Sequence, residues 1–221
     1  MDRNGKRIGI IGGTFNPIHF GHLLIAEQSY QEYDLDEVRF LPAGHPPHKQ
    51  SQQIASNEDR LAMLRLAVEN VPYFQISDYE LQKQGLSYTY ETLSYFSAQE
   101  SDAVFYFIMG ADSVKDLDCW KHPEIILKKA KILAAVRGDT DIEGLKEEAD
   151  RLSQKYQASI LLLHTPQLDI SSRDLRRRVA EGRSIRFMVP ESVRNYIEDH
   201  DLYQHLEKEG GEEYSHGSYH H

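Results

Sequence analysis

Cysteine is nearly absent from this chain: among 221 residues there is one, Cys119. No disulfide can form within the chain, and a reducing, cytoplasmic setting is the expectation. Nothing local marks Cys119 as activated, so it reads as an ordinary small side chain. Long apolar runs are missing too. No stretch reaches the roughly 18 residues that suggest a membrane span. The opening MDRNGKRIGIIGG starts polar and has no signal-peptide core, so neither secretion nor a membrane contact is expected. Positive charge is in short supply, with 25 Lys and Arg against 35 Asp and Glu and a net charge of −10. Such a chain lacks the basic footprint of a nucleic-acid binder. A small basic pocket for a phosphorylated metabolite remains compatible with it. No G-x-x-x-x-G-K-[ST] loop and no G-x-S-x-G elbow is present, which excludes a P-loop enzyme and disfavours an α/β-hydrolase. There is no internal repeat.

What remains is an ordinary globular composition, 40% hydrophobic and 27% charged. The length suits one domain that buries its core without staples. Short strand-like runs rich in β-branched and aromatic residues stand at 7–11, 38–42, 74–78, 104–109, 132–136 and 160–164. Helical patterns lie between them. After Ser56, which forms a capping-box pattern with Asp59, Leu61, Leu64, Val68 and Val71 repeat at helical spacing. Ile142, Leu145, Ala149, Leu152 and Tyr156 make one apolar stripe on a charged segment. A last helical segment covers 190–202. Strands alternating with helices predict an α/β fold: a single Rossmann-like, doubly wound parallel sheet with flanking helices and a small C-terminal helical segment. Ligands of such sheets bind at the carboxyl ends of the strands. The domain is expected over 1–204. The acidic, Gly-rich, His-ended remainder, 205–221, cannot bury a core and is expected to be disordered. Residues 44–53 form a polar, Pro-containing loop.

The chemistry is concentrated after the first strand, in GGTFNPIHFGH, Gly12–His22. Adjacent glycines Gly12 and Gly13 let backbone approach a ligand closely. Thr14 adds a hydroxyl, and Asn16–Pro17 sets a turn. His19 and His22 flank the expected start of a helix, whose unpaired N–H groups and dipole favour an anion. Zinc would need further Cys or carboxylate ligands at suitable places, of which Cys119 could in principle supply one. Near the other end, ISSRDLR at 170–176 opens a second helix. Its serines can cap and donate, and Arg176 offers a phosphate fork. Asp139–Thr140–Asp141 sits in a hydrophilic turn, and His200–Asp201 has no partner histidines; neither reads as a metal site.

Gly12–His22 resembles the signature of the HxGH nucleotidyltransferases, and more narrowly that of bacterial nicotinate mononucleotide adenylyltransferases. The segment 170–176 is similar to the family's I-S-S-T-x-I-R, with Arg173 for Thr and Leu175 for Ile. Pro46–Lys49 matches a P-P-H-K loop. Ser87–Thr92 resembles S-Y-T-x-D-T, with Glu91 for Asp. The resemblance runs from about Arg7 to Leu202; the stretch 137–157 carries no readable motif.

The resemblance implies transfer of the adenylyl group of ATP to nicotinate mononucleotide, giving deamido-NAD and pyrophosphate. It implies that His22 stabilises the α-phosphate, that His19 orients the phosphates, and that Lys49 and Arg176 neutralise the β- and γ-phosphates. Gly12, Gly13, Thr14, Phe15, Asp112, Ile170, Ser171 and Ser172 would hold ATP, with Asp112 on the ribose. Thr89, Tyr88 and Trp120 would face the mononucleotide, with the indole stacked on the pyridine. Mg²⁺ would arrive with ATP, and no protein metal site is expected. An amide-preferring enzyme is the nearest alternative, and a non-catalytic nucleotide-binding regulator on the same fold is a second. A phosphopantetheine adenylyltransferase fits less well. Whether the chain forms a homo-oligomer is open.

Overall fold

In the computed structural model, the described residues are 5–44, 54–136, 141–166 and 168–204. Among them the strands are β1 (Arg7–Gly13), β2 (Glu37–Pro42), β3 (Phe74–Ile76), β4 (Val104–Gly110), β5 (Ala130–Val136) and β6 (Ile160–His164). The α-helices are α1 (Phe20–Glu32), α2 (Asn57–Val68), α3 (Tyr79–Gln82), α4 (Thr89–Gln99), α5 (Ala111–Lys115), α6 (Pro123–Lys129), α7 (Ile142–Tyr156), α8 (Ser172–Ala180) and α9 (Glu191–Asp199). A 3₁₀ turn covers Leu117–Cys119. No helix among the described residues is long and apolar enough to cross a membrane.

All six strands are parallel, in the order β3-β2-β1-β4-β5-β6. The strands are apolar on both faces because both are covered. Alternation along β4 makes the division visible. Phe105, Phe107 and Met109 join one core with Ile8, Ile10, Ile132 and residues of α4 to α7. Tyr106 and Ile108 join the other with Ile11, Phe40, Leu133 and residues of α1, α2, α8 and α9. The order reverses between β1 and β4, so the two carboxyl ends, Gly13 and Gly110, flank the crevice where a doubly wound sheet takes its ligand.

Three expectations need adjusting. The edge strand β3 stops at Ile76, short of Asp78. Helix α2 ends at Val68, leaving Val71 in the following turn, and it buries Arg60, Met63, Leu64 and Val68 rather than Leu61. The cap was read correctly: Ser56 Oγ accepts the Asp59 N–H at 3.0 Å. In α7 the buried stripe is Leu145, Ala149 and Leu152, while Ile142 is exposed. Asp141, one half of the D-x-D, caps that helix by accepting the Gly144 N–H at 3.0 Å. Asp139, Thr140 and the tail 205–221 lie outside the described residues.

Candidate active site

The turn from β1 into α1 is over-determined by its packing. Phe15 takes a left-handed conformation, φ 47°, which a bulky side chain adopts only when its surroundings enforce it. Its ring is buried, 5.8 Å from Phe40 and edge-on to His22 at 5.1 Å. Gly13 makes room: a Cβ there would lie 3.0 Å from the Phe15 ring. Phe15, expected among the nucleotide contacts, thus also plugs the core and shapes the turn.

Three carbonyls between Thr14 and Pro17 are engaged by donors from other elements. Thr14 O accepts from Arg60 Nη1 at 2.8 Å. Asn16 O accepts from Arg176 Nη1 at 2.9 Å, and Pro17 O from the Ser172 hydroxyl at 2.9 Å. The Asn16 side chain is buried, and its Oδ1 accepts from Ala55 N at 3.1 Å and Tyr203 Oη at 2.8 Å. Burial holds the Tyr203 phenol far above its usual pKa, against the opposing charge of Arg176, so it remains a donor. Carbonyl oxygens that would repel a phosphate are thereby neutralised, which suits a turn built for an anion.

His19 caps α1 in an extended conformation and is buried; His22 is its third residue and half-buried. Their rings lie 3.7 Å apart at 30°. Gly21 permits this, since a Cβ would sit 3.0 Å from the His19 ring and 3.7 Å from Ile170 O. The segment 170–176 therefore packs on the start of α1 although far from it in sequence. Ser171 caps α8 by accepting the Asp174 N–H at 3.1 Å. Ser172 and Arg176 reach the turn, while Arg178 Nε pairs with Asp174 at 2.9 Å. A cavity of about 70 Å³ lies between these elements, lined by Thr14, Phe15, Asn16, His22, Ile54, Ser172 and Arg176. Its lining has an imidazole, a guanidinium and two hydroxyls and no carboxylate, and it sits beside a helix N-terminus. Such a lining suits an anion.

The second group of expected residues lies across β4. Gly110 ends the strand, and Asp112 is exposed in the first turn of α5. Tyr88 and Thr89 open α4. Trp120, half-buried after the 3₁₀ turn, meets the ring of Phe107 edge-on at 6.3 Å. Phe107 also flanks Gly12, where a Cβ would be 3.8 Å from its ring. One phenylalanine thus adjoins both the end of β1 and the tryptophan. The segments 88–90 and 120–122 touch: Lys121 Nζ lies 4.1 Å over the Tyr88 ring, and His122 meets Tyr90 at 4.6 Å. Lys49, with Pro46, Pro47 and His48, lies outside the described residues.

Sequence reasoning missed Arg60 and Tyr203 and read Asn16 as part of a turn alone. Arg60 is 1% exposed and also donates to Ala43 O at 2.8 Å and Asn57 Oδ1 at 2.6 Å. A signal for it existed: Arg60, Leu64 and Val68 repeat every four residues, so the arginine shares the buried face.

A model of the cytidylyltransferase-like family matches residues 10–178, a span that runs from β1 into α8 and takes in both histidines and Arg176. The chain belongs to the cytidylyltransferase-like family. Relatives similar to it along nearly the whole chain share one described activity. A probable nicotinate-nucleotide adenylyltransferase of Lachnoclostridium phytofermentans is 45% identical over 198 residues, covering 90% of this chain and 99% of that protein. Another, from Clostridium botulinum, is 40% identical over 199 residues, covering 90% and 98%. Among solved structures, the Plasmodium falciparum nicotinic acid mononucleotide adenylyltransferase complexed with NaAD superposes with a TM-score of 0.74. It covers 90% of this chain and 97% of that one at 19% identity, a likeness of fold.

Proposed function

We propose that this protein is a nicotinate-nucleotide adenylyltransferase, which joins ATP and nicotinate mononucleotide into deamido-NAD and releases pyrophosphate. The observation that carries the reading is the carboxylate-free cavity where His22 meets Ser172 and Arg176 from the far end of the chain. The identity to adenylyltransferases along nearly the whole chain supports the choice of reaction.

A phosphate oxygen of the mononucleotide attacks the α-phosphorus of ATP. The new P–O bond forms as the bond to the β-phosphate oxygen breaks, and pyrophosphate leaves with the electron pair. The attacking oxygen is already anionic near neutral pH, so no general base is required. The protein's work is to bring two anions together and to stabilise charge that spreads onto the leaving group. His22, at the positive end of α1, serves the α-phosphate. His19 packs on its ring and orients it. Arg176, and Lys49 from the 44–53 loop, take the β- and γ-phosphates. The ends of β1 and β4 hold the nucleotide, with Gly12, Gly13 and Thr14 beneath the phosphates and Asp112 toward the ribose. Thr89, Tyr88 and Trp120 hold the mononucleotide. Mg²⁺ enters as part of MgATP. Held by the triphosphate, it would offset the charge that the leaving pyrophosphate carries.

ATP labelled at the α-phosphorus tests the bond change directly. The label is expected in deamido-NAD, with one unlabelled pyrophosphate per product. Label in free AMP alone, or release of orthophosphate, would overturn the reading.

A further inference from the structure

The proposed reaction leaves open how a nicotinate ring is told from a nicotinamide ring, which differ by one negative charge. We propose that Lys121 is a specificity-determining residue that favours the acid form by placing a positive charge at the pyridine end of the site. The inference rests on the adenylyl-transfer reading and adds to it.

Three observations converge. First, Lys121 directly follows Trp120, and its ammonium lies 4.1 Å over the Tyr88 ring and 5.9 Å from the centre of Tyr90. It thus spans the two segments that approach the mononucleotide, 88–90 and 120–122. Second, the charge is not used up locally. The carboxylate in the neighbourhood, Glu91, takes Lys83 as its ion-pair partner and also accepts from Tyr90 Oη at 2.9 Å. Lys83 is the first cause of Glu91's depressed pKa, and the Lys121 charge is the last. Glu124 pairs with His122 at 3.1 Å. Among the described residues Lys121 is in no ion pair and rests on two tyrosine faces, an arrangement that holds a cation without neutralising it. Third, Lys121 is exposed, so its charge is open to a ligand.

A carboxylate on the pyridine ring gains from this charge, and a carboxamide does not. The mononucleotide phosphate is common to both substrates, so general attraction of anions would raise both equally. The two effects separate experimentally.

The test compares kcat/KM for nicotinate mononucleotide and nicotinamide mononucleotide, at saturating MgATP, in wild type, Lys121→Met and Lys121→Arg. Lys121→Met is expected to lower the acid-to-amide ratio by roughly three- to tenfold, the scale of one partly screened charge, with most of the loss in KM for the acid. Lys121→Arg is expected to keep most of the ratio. Quenching of the single tryptophan, Trp120, by each mononucleotide gives the same comparison without turnover. An unchanged ratio in Lys121→Met, or an equal loss for both mononucleotides, would overturn the proposal while leaving the adenylyl-transfer reading intact. Wild type inactive on both mononucleotides would overturn that reading and the proposal with it.

Discussion

Arg60 shows how a residue that touches no substrate can decide whether the site exists. Its buried guanidinium reaches Thr14 O, Ala43 O and Asn57 Oδ1, joining the ends of β1 and β2 to α2. Arg60→Ala leaves those acceptors without their donor and is expected to cost about 3 kcal/mol, read as a lower urea midpoint at unchanged slope. Arg60→Lys should recover little, because an ammonium cannot reproduce the planar fork. His22 is the opposite case, where fold is spared and chemistry lost. His22→Ala should lower kcat by on the order of a hundredfold, as removal of one transition-state contact does, with little change in melting temperature. A small change in kcat would sink the role given to His22. The contrast explains what was legible at this scale. His19, His22 and Arg176 stand out in sequence because they fall in two short motifs, Gly12–His22 and 170–176, whose residue types suit an anion. Asn16 looked like half of a turn, and its bonds to Ala55 and Tyr203 come from chain far away.

At the scale of elements, α7 is the instructive one, because residues 137–157 carry no readable motif. Its apolar stripe predicts the helix but is silent about the polar face. That face holds the turn before Trp120. Asp118 accepts from Tyr156 Oη at 2.6 Å, Arg151 Nη2 at 2.7 Å and Lys155 Nζ at 3.0 Å. The Tyr156 hydroxyl, then Arg151 and Lys155, keep the carboxyl ionised far below the usual aspartate range. The two ion pairs are at the surface and individually weak, but with the part-buried Tyr156 bond they brace the turn before the indole. Asp118→Ala is expected to raise KM for the mononucleotide about threefold while kcat is largely kept, and to shift Trp120 emission. A loss in kcat alone would contradict this. The error at α2 has a related origin. Leu61 and Val71 fit a helical period, but the tertiary contacts chose the face bearing Arg60, Met63 and Leu64. Periodicity identifies a helix more securely than it identifies which neighbouring stripe is buried. The strand β3 is short because it is an edge, paired on one side alone.

Taken as a molecule, the fold was readable because a parallel sheet covered on both faces leaves a strong signature of apolar strands separated by helices. The net charge of −10 was readable as well, and the proposed site resolves it locally: the cavity gathers cationic and hydroxyl side chains while the acids lie elsewhere. The same distribution gives a pH dependence. Glu91, Glu100 and Asp174 have depressed pKa values, chiefly through hydrogen bonds from Lys83, Arg39 and Arg178 respectively. Their contribution is present above the ordinary carboxylate range and is lost as pH falls from there through the lowered native values. Glu80 works the other way. Burial raises its pKa, against the hydrogen bond from Thr92, so the native state keeps this proton to higher pH than the unfolded chain. Stability is therefore lost as pH rises from the ordinary glutamate value through the native one. Glu80→Gln, which can still accept from Thr92, should melt higher than wild type near about pH 8, with the gap closing toward about pH 4. A gap constant across that range would contradict the account.

The central claim is that the β1–β4 crevice joins ATP to a pyridine mononucleotide, with preference for the acid. Pyrophosphate release with MgATP tests it most directly, comparing nicotinate mononucleotide, nicotinamide mononucleotide and phosphopantetheine at equal concentrations. The account predicts the highest kcat/KM for nicotinate mononucleotide by a wide margin. Turnover of phosphopantetheine alone, or ATP binding with no turnover of any of the three, would contradict it.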